Sequence, residues 1–380
     1  MSTEVSYQSG LGRIGESIKG ILVGIVFCLA APIGIWLNEK NAVDNAAALA
    51  EMQGKVVEAQ ADTKDLAGDA KLVHVTGKAT TSDTVKDDLF GVSQVAIKLE
   101  RHVEMYQWDE HEKSESHDNV GGGKTTTKTW TYEKKWADHH IDSGHFHDSG
   151  HDNPEMSPKG ESWYAGEVKL GSFKLNKELI DDIDVEKTLV ITEEMYKGFP
   201  ADQQAKFKRG SDGKVASGPG TNIGDMRIEF KVVEPQDVSV IATSQNGNFQ
   251  AYHAANGKER QFLQTGTVSA AEMFQHAASM DNMLLWILRG VLFLVMWIGI
   301  GLILGPISAV ARAIPVLGYF FGGFVEAGIG FATFLVAGFV TLLITAVVWI
   351  AVRPMLGIGM MVGAIALIVL ARSMHKPKTA

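Results

Sequence analysis

Apolar residues crowd both ends of the chain, while the middle alternates apolar and polar positions. Gly20 to Leu37 runs 18 residues without a charge, long enough to cross a hydrocarbon core of about 30 Å as a helix. Gly290–Ala311 and Ala327–Val352 are also charge-free and long enough, and Met355–Ala371, with 17 residues, sits at the short limit. Four spans are therefore expected, at 20–37, 283–311, 327–352 and 355–371. A cleaved signal peptide is the competing account of the first. Its apolar run exceeds a usual signal core, and the nearest small-x-small site, Ala48-Leu49-Ala50, lies well downstream. Phe27 before Cys28 also spoils a lipoprotein cleavage box, so a retained anchor is expected.

Lysine and arginine in short flanks set the orientation. With the N-terminus inside, Arg13, Lys19, Arg312, Arg372, Lys376 and Lys378 lie inside, and the short outer loop holds Arg353. Both the N-terminal segment 1–19 and the tail 372–380 are thus expected in the cytosol. Between Arg312 and Glu326 an apolar stretch is broken by Pro315 and three glycines. Too short to span, 312–326 is expected to lie at the interface or to re-enter. Pro354 cannot continue a helix, so Arg353-Pro354 should end the third span in a tight turn. The pairs Gly20/Gly24, Gly301/Gly305 and Gly359/Gly363 are spaced for close helix approach.

The remaining stretch, 38–282, reads as one β-rich domain. Asn41–Glu51 suggests a short amphipathic helix. Strands are expected at Leu72–Gly77, Val95–Leu99, Trp163–Leu175, Thr188–Thr192, Asp225–Val233, Val238–Thr243, Phe249–His253 and Gln261–Thr265. Two alternating runs, His102–Trp108 and Thr125–Trp136, flank a glycine cluster and predict a long hairpin. In the second run Trp130, Tyr132, Lys134 and Trp136 share one face, on which Trp130 and Trp136 are expected to be mostly buried; Thr129, Thr131, Glu133 and Lys135 share the other, with Glu133 and Lys135 expected exposed. Asn176 is placed to cap a short helix, Gly210–Gly224 reads as a loop, and Ser269–Glu272 is a capping box opening the helix toward the second span. The expected whole is a multi-pass α-helical membrane protein with a large β-rich α+β extracytosolic domain inserted between spans one and two.

Charge sharpens this picture. The chain carries 44 acids against 35 bases, and 41–280 alone holds 39 acids against 26 bases. That balance argues against nucleic acid as a partner, because phosphates call for a basic face. The partner the pattern does imply is the lipid bilayer. A single cysteine excludes an intrachain disulfide.

The run Arg101-His102-Val103-Glu104-Met105-Tyr106-Gln107-Trp108 resembles the signature of the transmembrane protein 43 (LUMA) family. Further matches follow in order: Leu72-Val73-His74 with Gly77, Gly91-Val92, Lys98-Leu99, Gly150-His151 with Asn153-Pro154, Gly224–Ile228, Glu272–Phe274 and Arg353-Pro354. They cover almost the whole chain, in the manner of a bacterial-type or divergent member. The resemblance implies the same four-span layout with cytosolic termini and a lumenal or periplasmic domain. It also implies self-association and contact with other envelope membrane proteins. In animals it implies the endoplasmic reticulum and inner nuclear membrane, with emerin and lamins as partners; in a bacterium the setting would be the inner membrane with a periplasmic domain. It brings no catalytic residues and no cofactor.

The conspicuous chemistry is His-rich. His139, His140, His145, His147 and His151, with Asp138, Asp148 and Asp152, fall within 15 residues. Imidazoles with carboxylates suit zinc or another late divalent metal, yet the spacing fits no zinc module and no HExxH occurs. A solvated loop is expected, with no metal bound and His151, the one position matching the family, partly buried and hydrogen-bonded through a ring nitrogen. Arg289, Arg312, Glu326 and Arg353 stand at span ends, where ionisable groups are costly unless paired or snorkelling, and snorkelling is the leading reading for Arg289, Glu326 and Arg353. Three functions remain open. A non-enzymatic scaffold that organises the membrane or envelope leads, ahead of a lipid- or envelope-modifying enzyme working near the His-rich loop or Arg353–Glu326. A channel or transporter subunit comes last, since the glycine-rich spans have no regular polar face.

Overall fold

Asn38 and Glu39 end the first apolar run but not its helix. The computed structural model describes residues 1–62, 71–119, 123–184, 186–313, 317–352 and scattered positions between 358 and 369. Helix α1 runs unbroken over Gly10–Lys55, so the expected amphipathic helix at 41–51 is its continuation. Alanine-rich, glycine-poor sequence after the apolar run gives the helix no reason to stop. Helix α2 spans Ala270–Ala313 and α3 spans Leu317–Val352. Three helices are long and apolar enough to cross a membrane, within Lys19–Lys55, Ala270–Pro306 and Gly330–Val347. The expected fourth span, 355–371, falls largely outside the described residues, as do Pro315, Arg353 and Pro354. The stretch 317–326 is helical and continuous with the third span.

Contacts divide the chain into two units, one holding Ala48–Glu112 and Trp130–Ala277, the other Thr3–Ala47, Lys113–Thr129 and Ala278–Ala380. In the first, two sheets share a core. Strand β4 (Lys98–Asp118) pairs antiparallel with β6 (Met226–Val233), from Met105↔Met226 to Lys98↔Val233. On its other side β4 pairs with β5 (Lys124–Ala137), the expected hairpin. In the second sheet β7 (Gln236–Gln245) lies between β8 (Phe262–Thr265) and β3 (Lys71–Thr80). Beyond β3, β2 (Val57–Gln60) adds in parallel. Alternation sends Val73 and Val75 of β3, Leu99, Val103 and Met105 of β4, Ile228 and Phe230 of β6, and Val238 and Val240 of β7 into one buried cluster. A smaller cluster sets Leu49 and Met52 of α1 and Met273 and Phe274 of α2 against Leu72 and Ile241. The capping box is formed: Glu272 accepts from Ser269 Oγ at 2.7 Å and from its backbone N–H at 3.1 Å.

In the second unit, Gly24 lets α1 and α2 touch. A Cβ there would meet the Gly299 carbonyl oxygen at 2.6 Å, and one at Gly299 would meet Phe27 Cβ at 2.8 Å and Cys28 Sγ at 3.1 Å. At Gly301 and Gly305 a Cβ would meet open space instead, so close helix approach does not require glycine at that pair. Trp297 of α2 donates to the Gly330 carbonyl at 3.1 Å and Thr333 Oγ1 at 3.0 Å on α3. An N-terminal strand, β1 (Ser2–Gln8), lies at the edge of the first sheet beside β5, where Ser6 Oγ approaches the Thr126 carbonyl at 3.5 Å.

Candidate functional site

The signature run forms the β4 segment at the centre of its sheet, and each residue acts locally. Arg101 is buried with its guanidinium 2.6 Å from Asp87, a carboxylate with no exposure at all. Its Nε donates to the Lys159 carbonyl at 3.0 Å, and its second terminal nitrogen reaches Glu161 at 3.1 Å. Phe90 and Trp163 pack over the guanidinium plane at 5.6 and 5.1 Å. Asp87 in turn accepts from the N–H groups of Leu89 and Phe90. A buried pair hydrogen-bonded this extensively fixes geometry. His102 is half-buried opposite Glu229 in the register, and Val103 and Met105 enter the core. Glu104 takes both Arg227 nitrogens, at 2.5 and 3.0 Å, and that ion pair holds its carboxyl below the usual range. The Arg227 guanidinium lies 4.3 Å over the Trp136 ring, which also meets Tyr106 at 5.4 Å.

Gln107 and Trp108 hold the His-rich loop. Gln107 is wholly buried; its amide donates to the His139 carbonyl at 2.8 Å and accepts from the Ile141 N–H at 2.9 Å. Asn153 accepts from the Trp108 N–H at 2.8 Å and donates to the Trp108 and Ile141 carbonyls at 2.9 and 3.1 Å. Two side-chain amides thus do what another strand's backbone would do, clamping both ends of the loop to β4. Asn153 is thereby tied directly to the signature run.

His139, His140, His145 and His147 are exposed, and among the described residues none of them joins a group of three metal-capable side chains. His139 pairs with Asp138, and His147 stacks flat on Trp130, centroids 3.6 Å apart. His151 departs from expectation. It is half-buried, but its buried Nδ1 has no hydrogen-bond partner. Its ring instead stacks on Tyr132 at 3.7 Å and meets Trp108 edge-on at 4.8 Å. Ring stacking, invisible in a linear motif, replaced the expected hydrogen bond. Tyr132 donates to Glu110 at 2.7 Å, and desolvation with that carboxylate pushes its phenol up to about 12.

Among the described residues, the three metal-capable groups that do meet are Asp109, His111 and Glu133, across β4 and β5. His111 Nε2 lies 2.9 Å from Glu133 and 3.4 Å from Asp109. The Lys135 ammonium already sits on the same Asp109 oxygen, so a cation is supplied by the chain itself. Lys135 is accordingly half-buried, where alternation alone predicted exposure; Trp130 is buried and Trp136 only half so.

In the helical unit Arg289 finds a partner that the sequence reading missed. Its Nε and a terminal nitrogen bind the two oxygens of Glu39 at 2.5 and 2.7 Å, and Glu39 is fully buried. Trp349 Nε1 of α3 donates to the same carboxylate at 2.5 Å, and Trp286 lies 4.6 Å from the guanidinium. Asn38 donates to the Leu285 carbonyl at 3.2 Å. The cluster joins the end of the first apolar run, the start of the second and the end of the third. A usable signal did exist: Glu39 is the one acid beside the first span's exit, matched by one base at the second span's entry. Arg312 and Glu326 lie on helices, with side chains outside the described ones.

The family model for Transmembrane protein 43 matches residues 105–354. Transmembrane protein 43 of Mus musculus is 30% identical over 378 residues, covering 96% of this chain and 92% of its own length. That of Homo sapiens is 29% identical over 369 residues, covering 93% and 90%. The Drosophila melanogaster homolog is 25% identical over 345 residues, covering 88% and 89%. No solved structure matches. With its signature strand, its clamped loop and near full-length similarity to these relatives, the chain belongs to the transmembrane protein 43 family.

Proposed function

We propose that this protein is a non-enzymatic membrane organiser, self-associating in the bilayer and presenting its β-rich domain on the far side from two cytosolic termini. The observation that carries it is the Glu39–Arg289–Trp349 cluster. It ties together the ends of three apolar helices that an up-down-up crossing would bring to one side. Buried charged and amide groups in both units likewise hold elements in place: Arg101 with Asp87, Gln107 on the loop, Glu39 with Arg289. A second support is that α1 and α2 each continue from the apolar stretch into the domain's own core.

The N-terminal strand bears on this directly. If 20–37 crosses the bilayer, Ser2–Gln8 and the domain starting at 38 lie on opposite sides. No open-edged strand can reach through hydrocarbon, so insertion of α1 and the β1–β5 pairing exclude each other. Magnitude favours insertion. Leu22, Val26, Leu29 and Ile33 are each over 60% exposed along α1. Burying each such side chain is worth about 1.5–3 kcal/mol, whereas β1 is a seven-residue strand exposed along its middle. Light scattering on the purified full chain in nanodiscs or mild detergent tests the organiser reading. A defined oligomer is expected, and a strict monomer at every concentration would overturn it.

A further inference from the structure

The edge that β1 occupies shows what the hairpin can accept. Thr3 to Tyr7, the middle of β1, are all exposed, so backbone pairing rather than side-chain fit seats this strand on β5. Tyr7 reaches Gly123 and Ser6 reaches Thr126, which places the contact on the distal part of β5. That part reads Thr125-Thr126-Thr127-Lys128-Thr129. It is β-branched, carries one charge and has no proline, which makes it a strand edge built to pair. The hairpin's own hydroxyl contacts face inward, Ser116 to Thr126 at 3.0 Å and Asn119 to Thr125 at 2.7 Å, and leave the outer backbone for a partner. Once α1 is in the membrane its own N-terminus cannot be that partner.

We propose that Thr125–Thr129 is a strand-pairing interface at which two copies of this chain join antiparallel, centred on Thr127. The inference rests on the spanning α1 and the self-association of the preceding section, and it names the surface. Self-complementarity argues for a second copy. Centred on Thr127, Thr125 faces Thr129, Thr126 faces Lys128 and Lys124 faces Trp130. No like charges then stand directly opposite, and threonine pairs are favourable cross-strand neighbours. The contact is isologous, so it closes at a dimer. Anchoring in one membrane, with hairpins on the same side, raises the effective concentration of each edge for the other.

Single-cysteine variants of the full chain, in membranes and on a Cys28→Ser background, test this. Mild oxidation should convert most of a Thr127→Cys variant to a disulfide-linked dimer, because the symmetric position faces itself. Glu133→Cys, exposed on the same strand but outside the run, should remain monomeric. Equal dimer from both would mean random collision and overturn the proposal. No dimer from Thr127→Cys, with Ser6→Cys labelled only after permeabilisation, would overturn the strand interface and leave the topology standing. An intrachain link in Ser6→Cys/Thr126→Cys would show β1 still on the edge, overturning both the interface and the spanning α1.

Discussion

Removing Arg101 should cost the domain more than any other single truncation in the signature run. The side chain is 4% exposed and Asp87 0%, so neither charge has water to fall back on. Arg101→Met keeps the aliphatic stem against Phe90 and Trp163 and deletes the charge. Asp87 is then left with two backbone N–H donors, at 2.8 and 3.4 Å. Breaking one side of a buried pair costs about 3–5 kcal/mol, chiefly from the stranded charge. Glu161, 57% exposed, adds little by losing its partner. Against the roughly 5–15 kcal/mol that holds a domain together, this is a large share. Urea unfolding of the purified chain in detergent, followed by tryptophan fluorescence, reads it. The double change Arg101→Met/Asp87→Leu should cost clearly less than the sum of the single changes, because no charge is stranded. A single Arg101→Met variant within about 1 kcal/mol of the parent would refute the reasoning.

Glu104 is held low by Arg227, so its contribution to stability is present above the ordinary carboxylate pKa of about 4.3 and is lost as pH falls through the lowered one. Melting temperature should therefore drop more steeply below that pH in the parent than in Glu104→Gln. Gln107→Ala removes both halves of a buried clamp, at about 1–3 kcal/mol for each group left unsatisfied. Hydrogen exchange should then rise selectively across 138–153. Replacing His139, His140, His145 and His147 together by alanine, or adding a chelator, should leave the melting temperature unchanged, since those rings are exposed and join no group of three metal-capable side chains among the described residues. A chelator-induced drop would restore the structural-metal reading.

What the sequence made legible was whatever repeats with a simple period. The β3, β6, β7 and β8 strands fall within a few residues of their alternating runs, and the hairpin was readable from Trp130 and its neighbours. Its length was not: β4 continues through Asp109-Glu110-His111-Glu112, a charged stretch with no inward apolar face, because β5 answers it with Tyr132, Glu133 and Lys135 across the ladder. The expected strand at Trp163–Leu175 is instead three short pieces, 161–164, 169–170 and 173–174, with Gly171 in a left-handed conformation between the last two. Two short helices, Glu193–Lys197 and Ala201–Lys206, escaped notice because five or six residues hold too little periodicity. Glu39 was hidden for another reason. Its charge beside the first span's exit was the one signal, but the partner lies 250 residues away, and only the fold puts the two together.

The central claim, a chain crossing the membrane with its β-rich domain opposite its termini, is tested most directly by thiol accessibility. Single cysteines at Ser6, Ser211 and Ser373, on a Cys28→Ser background, would be probed with an impermeant reagent in oriented cells or vesicles. Ser211→Cys should label from the far side of the membrane, and Ser6→Cys and Ser373→Cys only after the cytosolic face is opened. Labelling of positions 6 and 211 from the same side would contradict it, and would return β1 to its place beside the hairpin.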